Sequence, residues 1–278
     1  MLNKHQDAQM KSVGRSWRLR MLTATLASAL LLVTCSVHAD ITVMMSGGFA
    51  QAYEALLPEF KRSTGIAVTT TSGASQGTGS TTIKAQIERG ARPDVVILSR
   101  EGLEELIAAG HISAGTDVDL ATSPLGAAVR SGAQKPDVST VASFTNTMLN
   151  ARLVSMPGST SGKFIQDSVF PRLGITDKVA MKVTARGIES TNMLARGESD
   201  VALGPVSELV NLPGVDYVGE LPAEYQLVQV FSASMLKGST QQDEAKRLIA
   251  YLAAPSGAAA IRKAGMELIS LRRSQVRP

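Results

Sequence analysis

The chain has 278 residues, with 28 Lys and Arg against 24 Asp and Glu, three His, one Cys and one Trp. Five of the cations and one of the acids, Asp7, fall before residue 40, which leaves 23 charges of each sign in the remainder. The basic balance therefore belongs to the N-terminal segment and is no argument for a nucleic-acid partner. Beyond residue 40 there is no Cys and only His111, so a Cys-containing zinc site is excluded there and a His-rich one nearly so.

The N-terminal segment carries Lys4, Lys11, Arg15, Arg18 and Arg20, then an uncharged apolar run from Met21 to Val33, then Val37-His38-Ala39 before Asp40. A basic start, a short apolar middle and small residues at the −3 and −1 positions make a secretory signal peptide. The expectation is cleavage after Ala39, a soluble periplasmic product and residues 1–39 absent from it. Cys35, preceded by Leu32-Val33-Thr34, leaves a lipid-anchored form as the alternative, against which stands the size of Thr34. No later apolar stretch is long enough for a membrane span. The remainder, roughly 239 residues without a disulfide, is ample for one hydrophobic core.

Past residue 40, strand and helix patterns alternate. Ile41 to Met45 is a short apolar strand. After Ser46-Gly47-Gly48, the residues Tyr53, Leu56, Leu57 and Phe60 share one helical face, with Pro58 predicting a kink or two joined segments. Ile66 to Thr71 reads as a strand, Ile83 to Arg89 as a helix and Val95 to Leu98 as a buried strand followed by Ser99-Arg100. A helical stretch ends at Gly110, which places His111 in a surface turn. A Ser-His-Asp triad would have to use that residue. Later strands are expected at Leu153–Met156, Val201–Leu203 and Val228–Phe231. Later helices are expected at Gly162–Leu173, Ser190–Arg196, Asp243–Leu252 and Pro255–Ala264. The alternation implies an α/β protein with parallel strands covered by helices.

In such sheets ligands bind beyond the C-terminal strand ends, where helix N-termini offer free N–H groups. The rule selects Ser46-Gly47-Gly48, the stretch from Ser72 to Thr81 that contains Ser75 and Gln76, Ser159-Thr160-Ser161-Gly162-Lys163, and Glu189-Ser190-Thr191-Asn192. Each joins small hydroxyls or glycines to a helix start and so favours an anion. Taken singly, each is also an ordinary cap or turn. The Gly-rich stretch lacks a Gly-Lys-Ser/Thr ending, and Gly47-Gly48 lacks dinucleotide spacing, so neither is a nucleotide site.

Several stretches carry a family resemblance: Ser46-Gly47-Gly48-Phe49, Ala55-Leu56-Leu57-Pro58-Glu59-Phe60, Ile87 to Ile97 with its Arg92-Pro93-Asp94, Ala195-Arg196-Gly197-Glu198-Ser199-Asp200-Val201, and Leu252 to Ala258. Over most of Asp40 to Leu268 the chain resembles periplasmic solute-binding proteins of type II, closest to the molybdate-binding branch. The resemblance implies two lobes, each a mixed sheet covered by helices, joined by two crossing strands near Pro124 and Gln226. Lobe one would hold 40–123 and 227–278, and lobe two 124–226. The ligand would sit between them, and the lobes would close on it as a hinge. Carried over, the anion contacts fall on Ser46, Gly47 and Gly48, on Ser75 and Gln76, on Ser159, Thr160 and Ser161, and on Ser190.

One position departs: molybdate binders place a Tyr after the strand that follows Gly197-Glu198-Ser199-Asp200, and this chain has Val201-Ala202-Leu203-Gly204-Pro205. Arg100 and Lys163 near the same loops suit an anion with several carboxylates better than a tetrahedral oxyanion. The plainer alternatives are a solvated helix residue for Lys163 and a surface residue in a helix's first turn for Arg100. Ser159 to Gly162, Val206-Ser207-Glu208-Leu209 and Gly219 to Glu224 resemble a sub-branch that includes aconitate isomerases. The expectation is therefore a monomeric binding protein, without cofactor or metal, that captures a small di- or tricarboxylate for the membrane subunit of an ABC transporter. The alternative is an isomerase that interconverts cis- and trans-aconitate by an allylic proton shift, with Glu189 or Lys163 as the base.

Overall fold

The computed structural model describes residues 40–269. The signal-peptide reading of residues 1–39, with its cleavage after Ala39 and the Cys35 alternative, lies outside the described residues, as does the chain from residue 270. Among the described residues no helix is long and apolar enough to cross a membrane.

The first half of the chain is built from β1 (Asp40–Met45), α1 (Ala50–Thr64), β2 (Ala67–Ser72), α2 (Ile83–Glu88), β3 (Val95–Ser99) and α3 (Arg100–Ala108). Helix α1 buries Ala52, Tyr53, Leu56 and Phe60 and runs unbroken through Pro58. The two joined segments expected from Pro58 are therefore one helix. Pro58 and Glu54 lie on its exposed face, where water can serve the Glu54 carbonyl that Pro58 cannot. Gly65 closes the helix at φ 72°, a left-handed conformation that favours Gly.

Next come β4 (Val118–Arg130), α4 (Val141–Asn150), β5 (Val154–Pro157), α5 (Thr160–Phe164), α6 (Phe170–Leu173) and β6 (Met181–Thr184). A π-helical turn, Ile165–Val169, joins α5 to α6. They are followed by α7 (Gly187–Ala195), β7 (Val201–Pro205), β8 (Val215–Glu220), β9 (Val228–Met235), α8 (Gln242–Leu252), α9 (Ala258–Lys263) and β10 (Glu267–Leu268). The strand order is β2-β1-β3-β9-β4-β7-β5-β6, with β8 and β10 also paired to β4.

The sheet is mixed rather than parallel throughout. β1 pairs parallel with β2 and β3, and β5 with β6 and β7. β9 runs antiparallel to β3, and β4 antiparallel to β7, β8, β9 and β10. The partners of β4 change along its length. Val118 to Pro124 pair with β9, while Leu125 to Ala128 pair with β7. Apolar side chains accordingly gather in separate clusters. One packs Phe49, Tyr53, Phe60, Phe231 and Leu248, and another packs Phe144, Met156, Phe170 and Leu203.

At the change of partner a side chain substitutes for a strand. Gln226 accepts a hydrogen bond from the Leu125 N–H at 2.7 Å and donates from Nε2 to the Leu125 carbonyl at 3.0 Å. Leu125 is fully buried; its carbonyl also accepts from Leu221 N–H at 3.0 Å, so it is the Leu125 N–H that relies on Gln226. Gln226→Ala is expected to lower unfolding stability by about 1–3 kcal/mol, the cost of leaving that buried N–H unpaired. Urea denaturation measures it, and a loss below about 0.5 kcal/mol would show that water takes the place of the side chain.

Candidate functional site

The C-terminal ends of β1, β2 and β5 deliver three loops to one place. Ser46 follows β1, and its N–H donates to the Ile97 carbonyl at 2.8 Å. A 3-10 turn, Gly47–Phe49, then runs straight into α1, so the N–H groups of Gly47 and Gly48 are at a free helix start. Gly48 has to be Gly, because a Cβ there would occupy the ring of Phe231.

The loop after β2 is held by Gly73 N–H to Met45 carbonyl and Ala74 N–H to Thr81 carbonyl, each 3.0 Å. The Ser75 hydroxyl accepts from Ser99 N–H at 3.0 Å, which leaves its own O–H to donate. Ser159 stands before α5, and Ser161 is buried in its first turn. Thr160 bonds Ser99 at 2.8 Å and donates to Gln76 at 2.7 Å, which ties the third loop to the second. Gln76 donates in turn to Glu105 at 2.6 Å.

Two further loops complete the site. Arg186 precedes α7, donating from Nη1 to Ser72 at 2.9 Å and from Nε to Glu189 at 3.2 Å. After β7 a 3-10 turn, Val206–Glu208, is fixed from two sides. Ser207 N–H donates to the Ser123 hydroxyl at 3.1 Å, and Gln51 Nε2 donates to the carbonyls of Ser207 (3.0 Å) and Val210 (2.8 Å).

These segments enclose a cavity lined by Ser46, Gly47, Gly48, Gly73, Ser75, Ser159, Ser161, Arg186, Gly187, Pro205, Glu208, Gln229 and Phe231. Its volume is about 20 Å³, room for about one water molecule. An open depression of about 560 Å³ shares Ser46, Gly47, Gly73, Arg186 and Glu208 with it and extends outward past Gln51, Glu54 and Ile188. Ser46 Oγ and Gln229 Oε1, both on the cavity wall, are buried without a hydrogen-bond partner. Buried polar groups are costly unless paired.

Glu208 is the acid of the cavity. Its carboxyl lies between Gly47 and Gly187, and a Cβ on either glycine would collide with it. Burial pushes it up to about 7. Helix N-termini oppose that shift by roughly 0.3–1 kcal/mol each, less than one pKa unit apiece, so desolvation prevails. The residue is half-buried and also lines the open depression, so the desolvation is partial.

The structure brings together Ser46, Gly47, Gly48, Ser75, Ser159 and Ser161. Gln76 and Thr160 stand beside the wall, bonded to each other. Arg100, Lys163, Glu189 and Ser190 do not line the cavity. Arg100 is committed to Asp117 at 2.9 Å and to Asp119, and its guanidinium holds the Asp117 carboxyl below its ordinary range. Lys163 is exposed, with Asp167 at 3.9 Å. Glu189 lies in the first turn of α7 and accepts from Ala185 N–H at 3.1 Å. Ser190 is buried in α7 with an unpartnered hydroxyl. Arg186, Glu208 and Gln229 were missed. Arg186 could have been found from the Gly187 that follows it, a helix start three residues ahead of the one expected.

A larger concavity, about 650 Å³, lies elsewhere, between Arg130, Asn146, Arg152 and Asp200. Arg152 is bonded there to Asp200 at 2.6 Å, and none of the unpartnered buried atoms among the described residues lines it.

A family model for bacterial extracellular solute-binding proteins matches residues 41–267. An aconitate isomerase from a Pseudomonas species is 30% identical over 253 residues, spanning 89% of this chain and 97% of that protein. The periplasmic molybdate-binding protein of Azotobacter vinelandii superposes with a TM-score of 0.65 at 18% identity, covering 82% of this chain and 99% of that one. The sulfate-binding protein SubI of Mycobacterium tuberculosis superposes with a TM-score of 0.67 at 19% identity, covering 84% and 88%. The fold is thus the two-lobed α/β fold of type II periplasmic binding proteins, and the chain belongs to the bacterial extracellular solute-binding protein family.

Proposed function

We propose that the chain is an exported binding protein that captures a small carboxylate anion, a di- or tricarboxylate, between its lobes and presents it to the membrane subunit of an ABC transporter. Among the described residues, 40–123 and 227–269 form lobe one and 124–226 lobe two, with β4 and the segment entering β9 as the crossings. The observation that carries the reading is the enclosed cavity itself. It combines serine hydroxyls from three loops, the unpartnered Ser46 hydroxyl among them, with helix starts at Gly47 and Gly187 and one guanidinium.

Arg186 replaces Arg100 and Lys163 as the cation of the site. Its planar fork suits a carboxylate, which it can meet with two parallel N–H bonds. A ligand of that size does not fit a space of about 20 Å³, so capture requires the lobes to part and close again about the crossings. Closure remakes the contacts that join the lobes here, Thr160 with Ser99 and Gln76, and Arg186 with Ser72.

A second reading has a specific observation behind it. Isomerisation of an aconitate needs a base beside the acidic C–H. Glu208, pushed up to about 7 inside the cavity, has the proton affinity that such work requires, whereas Glu189 and Lys163 lie outside. The relative that is an aconitate isomerase adds weight to the same idea.

Calorimetry with molybdate, citrate and trans-aconitate tests the ligand class. A carboxylate should bind and molybdate should not, while tight molybdate binding with no carboxylate response refutes the assignment. Arg186→Ala and Ser46→Ala should each weaken carboxylate binding by roughly ten- to a hundredfold, since hydrogen bonds to charged groups are worth about 1.5–3 kcal/mol. The melting temperature of the ligand-free protein should barely move with Ser46→Ala, because that hydroxyl has no partner to lose. Incubation with trans-aconitate in deuterated water, followed by proton NMR, separates the two readings. A binding protein leaves the vinyl and methylene signals unchanged, and an isomerase converts them with uptake of deuterium.

A further inference from the structure

We propose that Glu208 recognises the ligand as a neutral carboxylic acid, donating its O–H to a carboxylate oxygen of the bound anion, so that each anion is taken up with a proton. The inference rests on the reading of the cavity as a carboxylate site.

The geometry allows the side chain little else. The turn that carries it is anchored by Ser123 and Gln51, and the carboxyl is wedged between Gly47 and Gly187 where no side chain could fit. Among the described residues it forms no hydrogen bond and no ion pair. The wall around it supplies one cation, Arg186, whose Nε is shared with Glu189. Glu54 on α1 faces the outer depression, and the Gly47–Phe49 turn and the β9 wall residues Gln229 and Phe231 bring no charge. The charged residues of β4 are engaged elsewhere, Asp119 with Arg100 and Arg130 beside Gly197.

An anion drawn to Arg186 and to the two helix starts would come to rest against this carboxyl. Two carboxylates side by side in one confined site oppose each other's ionisation, so one of the pair keeps a proton. The ligand is held ionised by Arg186 and the N–H groups, so the proton remains on Glu208, whose burial already favours the neutral form. A protonated Glu208 also gives the anion a donor where an ionised one would repel it. The sign follows. Affinity is full while Glu208 is neutral and is lost as pH rises past about 7, because the proton must then be brought in with the ligand.

Titration with trans-aconitate at pH 8 in phosphate and in Tris, buffers of different ionisation heat, reads the proton count directly. At that pH the ligand's own acids, with ordinary values near 4, are already ionised. The expected result is net uptake approaching one proton per ligand and an affinity that falls by up to about tenfold per pH unit between pH 7 and 9. Glu208→Gln, which keeps an N–H donor but cannot titrate, should take up no proton and show the same affinity at pH 7 and pH 9. Binding by the wild-type protein without proton uptake overturns the inference and leaves the carboxylate reading standing. A pH slope that survives in Glu208→Gln overturns it as well, since the proton would belong to another group. No binding of trans-aconitate or citrate at any pH, in either protein, overturns the carboxylate reading and this inference together.

Discussion

The thirteen residues of β4 pair with four other strands, and the place where the partners change decides where everything else can be. Up to Pro124 the strand lies against β9, beyond it against β7 and β8. A strand exposes unpaired N–H and C=O groups wherever a neighbour ends, so the handover has to be sealed. Gln226 seals it by pairing with both backbone groups of Leu125. Ser123, fully buried one residue before Pro124, accepts from Ser207 N–H. The strand that changes partners thus also anchors the turn that carries Glu208.

Around that handover the cavity is polar at the expense of stability. Serine and glycine lining gives no apolar burial to offset the desolvation of Ser46 Oγ and Gln229 Oε1. The stability is made up in the apolar clusters, where Phe60, Phe144 and Phe170 are fully buried.

Electrostatically the cavity is a near-balance. Arg186 and the two helix starts favour negative charge, and Glu208 occupies space next to them. Its carboxyl is too desolvated to ionise at the ordinary carboxylate range, so the local potential remains attractive to an anion instead of being cancelled by the protein's own acid. Arg100, by contrast, is neutralised by Asp117 and Asp119 and adds little field to the cleft.

What the sequence determined by itself is local. Val95 to Leu98 is apolar at every position and is a buried strand. Ser46-Gly47-Gly48 and Ser159 to Ser161 break the pattern at strand ends and line the cavity, because chain direction and Gly or Ser punctuation act over a few residues. The resemblance to solute-binding proteins rested on stretches of the same kind. Tertiary structure decided the rest. No local pattern marks the longest strand, β4, which only the family resemblance placed near Pro124, because Asp119, Pro124 and Gly126 interrupt its pattern and its partners lie up to 147 residues away. Helix α4 and strand β8 went unread too. Arg100 and Lys163 stand in sequence beside cleft loops yet point to other carboxylates or to solvent, while Arg186 and Glu208 reach the cavity from a helix start and a strand end. Which cation is free and which acid is desolvated depends on the neighbours that folding brings from far along the chain, and those neighbours are set by packing, not by spacing.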